Sequence, residues 1–139
     1  WEIISEVKRR FPQATIIGSG DLMDAETIVK RIKTSGLDAV IIARGAIGNP
    51  WIFNETRALW EGRPKPKRPS LTEQGEVYLK HYEMIAETRP MLKSVRYFRK
   101  FSVGYCKHHP QRKMIQADLI AAKSKDDLYA AAKKWFGIG

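Results

Sequence analysis

The rhythm of hydrophobic and polar positions changes partway along this chain. Near the start, Ile3, Ile4, Val7 and Phe11 recur at helical spacing, with Glu6, Lys8, Arg9 and Arg10 between them, which predicts an amphipathic helix. "ATIIG" (Ala14–Gly18) follows as a short β-rich run bounded by Pro12 and by Gly18 and Gly20. "DAETIVKRIKTSG" predicts a second helix, with Asp24 as N-cap ahead of Ile28, Val29 and Ile32 and Gly36 as its stop. "DAVIIA" (Asp38–Ala43) is a continuous apolar run, the pattern of a parallel strand buried on both faces. A third helix is predicted from near Asn49-Pro50 through "WIFNETRALW". This alternation makes an α/β unit with a right-handed crossover. Two parallel strands leave their faces and edges uncovered. The expectation is therefore the end of a larger α/β domain, with a second copy supplying strands as the alternative.

"EGRPKPKRPSLTEQ" (61–74) reads as a basic, Pro-rich linker. Beyond it every signal is helical. One helix is predicted over 73–88, with Val77, Leu79, Tyr82, Ile85 and Ala86 among its apolar positions, a second over about 91–107 and a third over about 112–121. The last starts at the N-cap Ser124, has Asp126 and Asp127 in its first turn, and stops at Gly137. No repeat and no low-complexity tract is present. The predicted class is α/β followed by all-α, with residues 1–60, 61–74 and 75–139 as first domain, linker and helical domain.

Composition adds a compartment and a partner class. The chain has 139 residues, 43% of them hydrophobic, enough for one domain or two small ones. No apolar run approaches the roughly 18 residues of a membrane span, so no membrane partner is expected. The opening "WEIISEVKRRF" has no apolar core or cleavage site of a signal peptide. It starts without Met and inside an amphipathic pattern, as a chain cut from something longer would. The single cysteine, Cys106, excludes an internal disulfide and fits a reducing, cytoplasmic setting. The pattern sets no oligomeric state. The formal charge of +10 is lopsided: residues 1–60 hold eight Lys/Arg against seven Asp/Glu, and residues 61–139 hold seventeen against eight. That asymmetry points the second half at a polyanion.

Two stretches share one shape. "TIIGSGDL" (Thr15–Leu22) and "AVIIARGAIGNPW" (Ala39–Trp51) are apolar runs that break into glycine at the C-terminal end of a predicted strand, ahead of a helix. Ligands bind at that end of parallel α/β sheets and barrels, and helix N-termini attract phosphate. Gly18, Gly20 and Gly45 would admit an anion to the main chain, and Arg44 would add a forked cationic donor. Ordinary turn glycines, with Asp21 as a cap, are the plainer explanation of either turn alone. Two equivalent turns on consecutive strands, one carrying Arg44, favour a phosphate or phosphorylated-cofactor site.

At these residues a resemblance emerges. "IIGSGDL" followed by "LDAVIIARGAIGNPWIF" resembles the flavin-phosphate end of the tRNA-dihydrouridine synthases, and "GNPWIF" is similar to the bacterial B-type branch. The resemblance implies the last βα units of a (β/α)8 TIM barrel that binds FMN, then a helical domain that holds tRNA. Where the family has Asn-Gly-Asp/Glu this chain has Ser19-Gly20-Asp21, and where the family has Gly-Arg it has Ala43-Arg44, followed by Gly45. Ser19 keeps a hydrogen-bonding side chain with shorter reach, and neither departure excludes FMN. The family's general-acid cysteine, in an Asn-x-x-x-Gly-Cys-Pro loop, and its flavin-contacting lysine and histidine would lie ahead of residue 1. No catalytic residue is therefore expected in this stretch, which alone would not reduce uridine, and a missing N-terminal barrel portion becomes an expected partner. In the whole enzyme NADPH would reduce FMN, and hydride would pass to C6 of a flipped-out uridine while the cysteine protonates C5.

"RPMLKSVRYFRKFSVGYCK" carries a second regularity. Arg89, Lys93, Arg96, Lys100 and Lys107 fall within an arc of about 60° on an unbroken helix. Val95, Phe98, Ser102 and Tyr105 lie opposite, flanked by Met91 and Cys106, as a core-facing strip would. No acidic residue occurs from Thr88 to Ala117, and Arg112 and Lys113 extend the patch. A solvated basic face is the plain reading. The unrelieved charge instead suits a phosphate backbone, with Tyr97 beside the stripe able to stack on a base or sugar. The resemblance also puts tRNA-binding residues here, including Arg99-Lys100 as an Arg-Lys pair. Cys106, His108 and His109 do not make a metal site, because adjacent histidines diverge and no fourth ligand is evident. Trp1, Trp51, Trp60 and Trp135 read as packing residues. The expected function is the C-terminal part of an FMN-dependent tRNA-dihydrouridine synthase. A non-catalytic RNA-binding module and another FMN- or phosphate-binding barrel oxidoreductase remain the rivals.

Overall fold

The computed structural model describes residues 1–139, with the side chains of all but Met91 and Leu92. Seven helices and a two-stranded parallel sheet make it mostly helical. The chain separates into two compact units, Trp1–Lys67 and Arg68–Gly139.

In the first unit the order is α1 (Glu2–Arg10), β1 (Ile17–Ser19), α2 (Ala25–Ser35), β2 (Ala39–Ile41), a 3-10 turn at Arg44–Ala46, and α3 (Ile52–Trp60). α2 has the predicted ends. The Asp24 carboxylate accepts the Thr27 N–H at 2.7 Å, and Gly36 closes the helix in the left-handed region at φ 69°. The strands are shorter than expected. Paired residues run only from Ile17↔Ala39 to Ser19↔Ile41, with one further backbone bond from the Asp38 N–H to the Ile16 carbonyl at 3.2 Å. The predicted burial on both faces does not hold either. Gly18 and Val40 face inward, while Ile17 and Ile41 point to the open side and are 53% and 57% exposed. A lone strand pair has helices on one face only, so the apolar run that sequence reads as doubly covered is covered once. α3 starts two residues later than predicted, because the 3-10 turn and the stretch through Pro50 come first.

Asp38 fastens the start of β2. Its carboxylate accepts the Ile16 N–H at 2.8 Å and pairs with Lys8 at 2.9 Å, and these bonds hold its pKa below the ordinary aspartate value. Leu22, Ile28 and Ile52 form the small core, with Trp1, Ile32, Val40, Ile42 and Ala46 packed against it. Lys65, inside the predicted linker, is tied to this unit through Glu26 at 3.0 Å and the buried Glu55 at 3.3 Å.

The second unit holds α4 (Leu71–Glu87), α5 (Met91–Tyr105), α6 (Arg112–Ala121) and α7 (Lys125–Phe136). α4 begins inside the expected linker, and its start was written in the sequence. Ser70 and Glu73 form a capping box, the Ser-x-x-Glu pattern at a helix start. Ser124 and Asp127 make the same box on α7, and Gly137 ends that helix at φ 65°. The core is aromatic. Tyr78 packs on Phe98 with ring centroids 4.9 Å apart and meets Tyr105 edge-on at 5.3 Å, and Tyr82 lies 5.6 Å from Phe98. Leu119, Leu128, Ala132 and Phe136 close the other side. The Tyr78 hydroxyl meets that of Ser102 at 3.5 Å and the Tyr82 hydroxyl that of Ser94 at 3.4 Å, so two phenols are buried with partners. Gly75 lets α4 approach α7, since a Cβ there would come within 2.5 Å of Phe136 Cβ.

Candidate functional site

The ends of the two strands open into a cleft of about 140 Å³ lined by Ser19, Gly20, Asp21, Leu22, Met23, Ile41, Ala43 and Arg44. Five of the six residues expected to bind cofactor thus share one concavity. Local backbone shapes it: Gly20 at φ 137° and Asp21 at φ 48° are consecutive residues turned to positive φ. Aspartate is among the few non-glycine residues that occupy the left-handed region readily. The Trp1 indole N–H donates to the Gly20 carbonyl at 3.1 Å and holds the turn.

Gly45, the sixth, is buried and does not line the cleft. It lies outside the positive-φ residues, so the expected freedom of its backbone is not what the fold uses. A Cβ on it would collide with the Leu22 carbonyl oxygen, so glycine is required for the two turns to pack together. Gly18 has a similar role, since a Cβ there would come within 2.5 Å of Leu37 and 3.0 Å of the Trp1 ring. The expected helix N-termini also differ. The Asp24 carboxylate already occupies the start of α2, and α3 begins eight residues beyond Arg44. Ser19 donates to the Ile41 carbonyl at 3.4 Å, which joins the strands.

Arg44 and Asp21 form an ion pair from one turn to the other, and both side chains are largely exposed. An exposed pair of this kind is worth about 0–1 kcal/mol. A phosphate could therefore take Arg44 from Asp21 at small cost. The cleft offers one strong cationic donor, and Asp21 is the group that competes for it.

The basic face lies on the second unit. Lys93, Arg96 and Lys100 are exposed on α5, while Val95, Phe98, Ser102, Tyr105 and Cys106 are buried. The expected inward placement of Met91 concerns a side chain outside the described residues. The stripe is shorter as a helical feature than the five-residue reading. Arg89 precedes α5 and Lys107 follows it, because the helix spans Met91–Tyr105. Arg89 nevertheless rejoins the others through Tyr97: its guanidinium lies 3.9 Å from that ring's centroid, and the Lys100 ammonium 3.8 Å. Arg99 turns elsewhere. Its Nε and Nη2 donate to the Ala122 carbonyl at 3.1 and 2.6 Å, capping the C-terminal end of α6.

No metal-binding cluster of His, Cys, Asp or Glu is found among the described residues. His109 is a packing residue. Its Nδ1 accepts the Gln111 N–H at 3.0 Å, so Nε2 carries the proton and donates to the Trp135 carbonyl at 2.9 Å. Cys106 is buried with its thiol on the Ser102 carbonyl, and burial pushes its pKa up to about 11, the opposite of a reactive thiolate. No helix among the described residues is long and apolar enough to cross a membrane.

A probable tRNA-dihydrouridine synthase of Mycobacterium tuberculosis (strain CDC 1551 / Oshkosh) is 31% identical over 128 residues, covering 92% of this chain and 33% of that protein. The tRNA-dihydrouridine synthase B of Xanthomonas axonopodis pv. citri is 31% identical over 134 residues, covering 96% of this chain and 40% of that protein. A probable tRNA-dihydrouridine synthase of Rickettsia typhi is 28% identical over 132 residues, covering 90% and 40%. The chain thus spans 33% to 40% of the length of these relatives. The profile of the dihydrouridine synthase (Dus) family matches residues 1–135, nearly the whole chain, and with these relatives it shows that the chain belongs to the dihydrouridine synthase family.

Proposed function

We propose that this chain is the flavin-phosphate end and the tRNA-docking domain of a tRNA-dihydrouridine synthase. The observation that carries the reading is the junction of Gly20, Asp21, Ala43 and Arg44 in one cleft at the C-terminal ends of adjacent parallel strands. The cleft suits one phosphate, with the Arg44 guanidinium as its donor and the positive-φ turn at Gly20 leaving main chain accessible. FMN held there, reduced by NADPH, would supply the hydride that converts a tRNA uridine to 5,6-dihydrouridine.

The open sheet face supports a longer parent domain. Ile17, Ser19, Ala39 and Ile41 share that face and are exposed, as residues facing the interior of a (β/α)8 barrel would be before the remaining strands join. The isoalloxazine ring would rest on those strands, and the general-acid cysteine would stand among them. Residues 1–60 would then be the barrel's end, 61–74 the connection and 75–139 the tRNA-binding domain. Arg89, Lys93, Arg96, Lys100 and Lys107 would neutralise phosphates, with Arg99 supporting the helix that presents them.

The test is titration of the 139-residue chain with an unmodified tRNA transcript across a salt series, with an FMN titration alongside. Binding of tRNA without flavin is expected, steeply weakened by salt. Changing Lys93, Arg96 and Lys100 to Gln should flatten the log–log slope by about two to three units. Changing the exposed Lys80 and Lys133 on other helices to Gln is the control. Equal loss per charge in both variants would reduce the stripe to net charge and overturn its role. FMN should bind this chain more weakly than micromolar, and a tight stoichiometric yellow complex would contradict the need for further strands.

A further inference from the structure

Tyr97 occupies an unusual position on the basic face. Its half-buried ring has the Arg89 guanidinium 3.9 Å and the Lys100 ammonium 3.8 Å from its centroid, and both cations are exposed. Arg89 comes from the turn between α4 and α5, so the ring draws a loop cation onto the helix. Phe101 braces Tyr97 at 5.6 Å, stands 4.8 Å from the Lys100 ammonium, and packs at 5.0 Å on His81 of α4. Through Phe101 and His81 the exposed end of this aromatic row is anchored to the unit's core. Both cations also lower the Tyr97 hydroxyl's pKa, Lys100 more than Arg89.

Two like charges gathered at one ring repel each other, and an exposed lysine or arginine is otherwise free to separate. The attraction of each exposed cation to such a ring changes an equilibrium by roughly two- to fivefold. A cation already held in place loses less rotamer freedom when it grips a phosphate. A ring attended by two cations is also a poor platform for a base, which would have to displace them. We propose that Tyr97 is a positioning residue of the RNA-docking surface, holding Arg89 and Lys100 for phosphate contact rather than stacking on a base itself. The inference rests on the tRNA-binding reading of α5 and specifies how that surface is organised.

The experiment measures affinity of the 139-residue chain for the tRNA transcript, with melting temperature as a fold control. Tyr97→Leu should weaken binding about three- to tenfold while leaving the salt slope unchanged, because no charge is removed. Tyr97→Phe keeps the ring and should restore binding to within about twofold. Arg89→Gln should cost less in the Tyr97→Leu background than in the parent, since the ring no longer places it. Should Tyr97→Leu lose its fold, single changes decide the matter. Arg89→Gln should then cost more than Lys107→Gln, a cation over which no ring lies among the described residues, and equal losses would overturn the proposal. Tyr97→Phe binding as poorly as Tyr97→Leu would also overturn it, because the hydroxyl would then be the contact. An unchanged Tyr97→Leu beside a weakened Lys93, Arg96, Lys100 variant would remove the role of Tyr97 and leave RNA binding intact. An unchanged triple variant would remove the RNA reading itself.

Discussion

Residues 68–139 enclose Tyr78, Tyr82, Phe98 and Phe136, each at most 1% exposed, within one continuous core. Residues 1–67 cluster only Leu22, Ile28 and Ile52, and leave Ile3, Phe11, Ile17, Ile41 and Phe53 more than half exposed. Hydrophobic residues occur throughout, so supply is not the difference. A helix needs one apolar stripe covered, and four helices cover one another's stripes. A parallel sheet needs both faces covered and its edges paired, which two strands and their helices do not achieve. The second unit closes its core by itself, whereas the first leaves one face of its sheet exposed.

The largest effect that could break this comparison lies in the closed core. Phe98→Ala removes a ring packed on Tyr78, Tyr82 and His81 and should cost about 3–5 kcal/mol. That approaches the whole stability expected of a domain this size, about 4–11 kcal/mol. Ile41→Ala, on the open face, should cost under about 1 kcal/mol in this chain. Denaturant melts of the two variants give the ratio directly, and similar losses would mean that the sheet face is covered after all.

Within the first unit, Gly45→Ala should be the damaging turn substitution, at about 1–3 kcal/mol, because the new methyl meets the Leu22 backbone rather than a flexible side chain. Fluorescence of Trp1, Trp51 and Trp60 should report earlier melting of that unit, while the larger part of the far-UV circular dichroism transition, carried by α4 to α7, stays in place. A Gly45→Ala chain with wild-type melting would show that the turns are not packed through that glycine.

The smallest expected effect is a pH dependence confined to one unit. Burial beside Phe98, Phe101 and Tyr105 holds the His81 pKa below 6.5. The unfolded chain therefore binds the proton more readily. Stability of the second unit should be full above about pH 6.5 and decline as pH falls through that value toward the lower folded pKa. All three histidines lie beyond residue 67, so the first unit's melting should stay level between about pH 5.5 and 7.5. His81→Gln should remove most of the slope. An undiminished slope would remove His81 as its source.

Sequence alone determined the features that depend on neighbours along the chain. Asp24 and Gly36 bound α2, and Ser124 and Gly137 bound α7, because a cap bonds the turn beside it. The inward face of α5 followed from helical period, and the family followed from "IIGSGDL" and "ARGAIGNPWIF" as matched strand-end turns. The Ser70–Glu73 box was equally legible and marks a helix start that a Pro-rich reading of 61–74 passes over. Tertiary structure decided what depends on residues distant in sequence. Gly45 is glycine because Leu22, from the other turn, lies against it, and Asp21 stands in the cleft as the ion partner of Arg44. Arg99 leaves the basic face for the Ala122 carbonyl at the end of another helix, whereas Arg89 joins that face from outside its helix by reaching Tyr97. Helical period specifies the direction in which a side chain leaves the backbone. The flexible reach of an arginine and the van der Waals limit at a glycine are set by whatever the folded chain brings within a few ångströms.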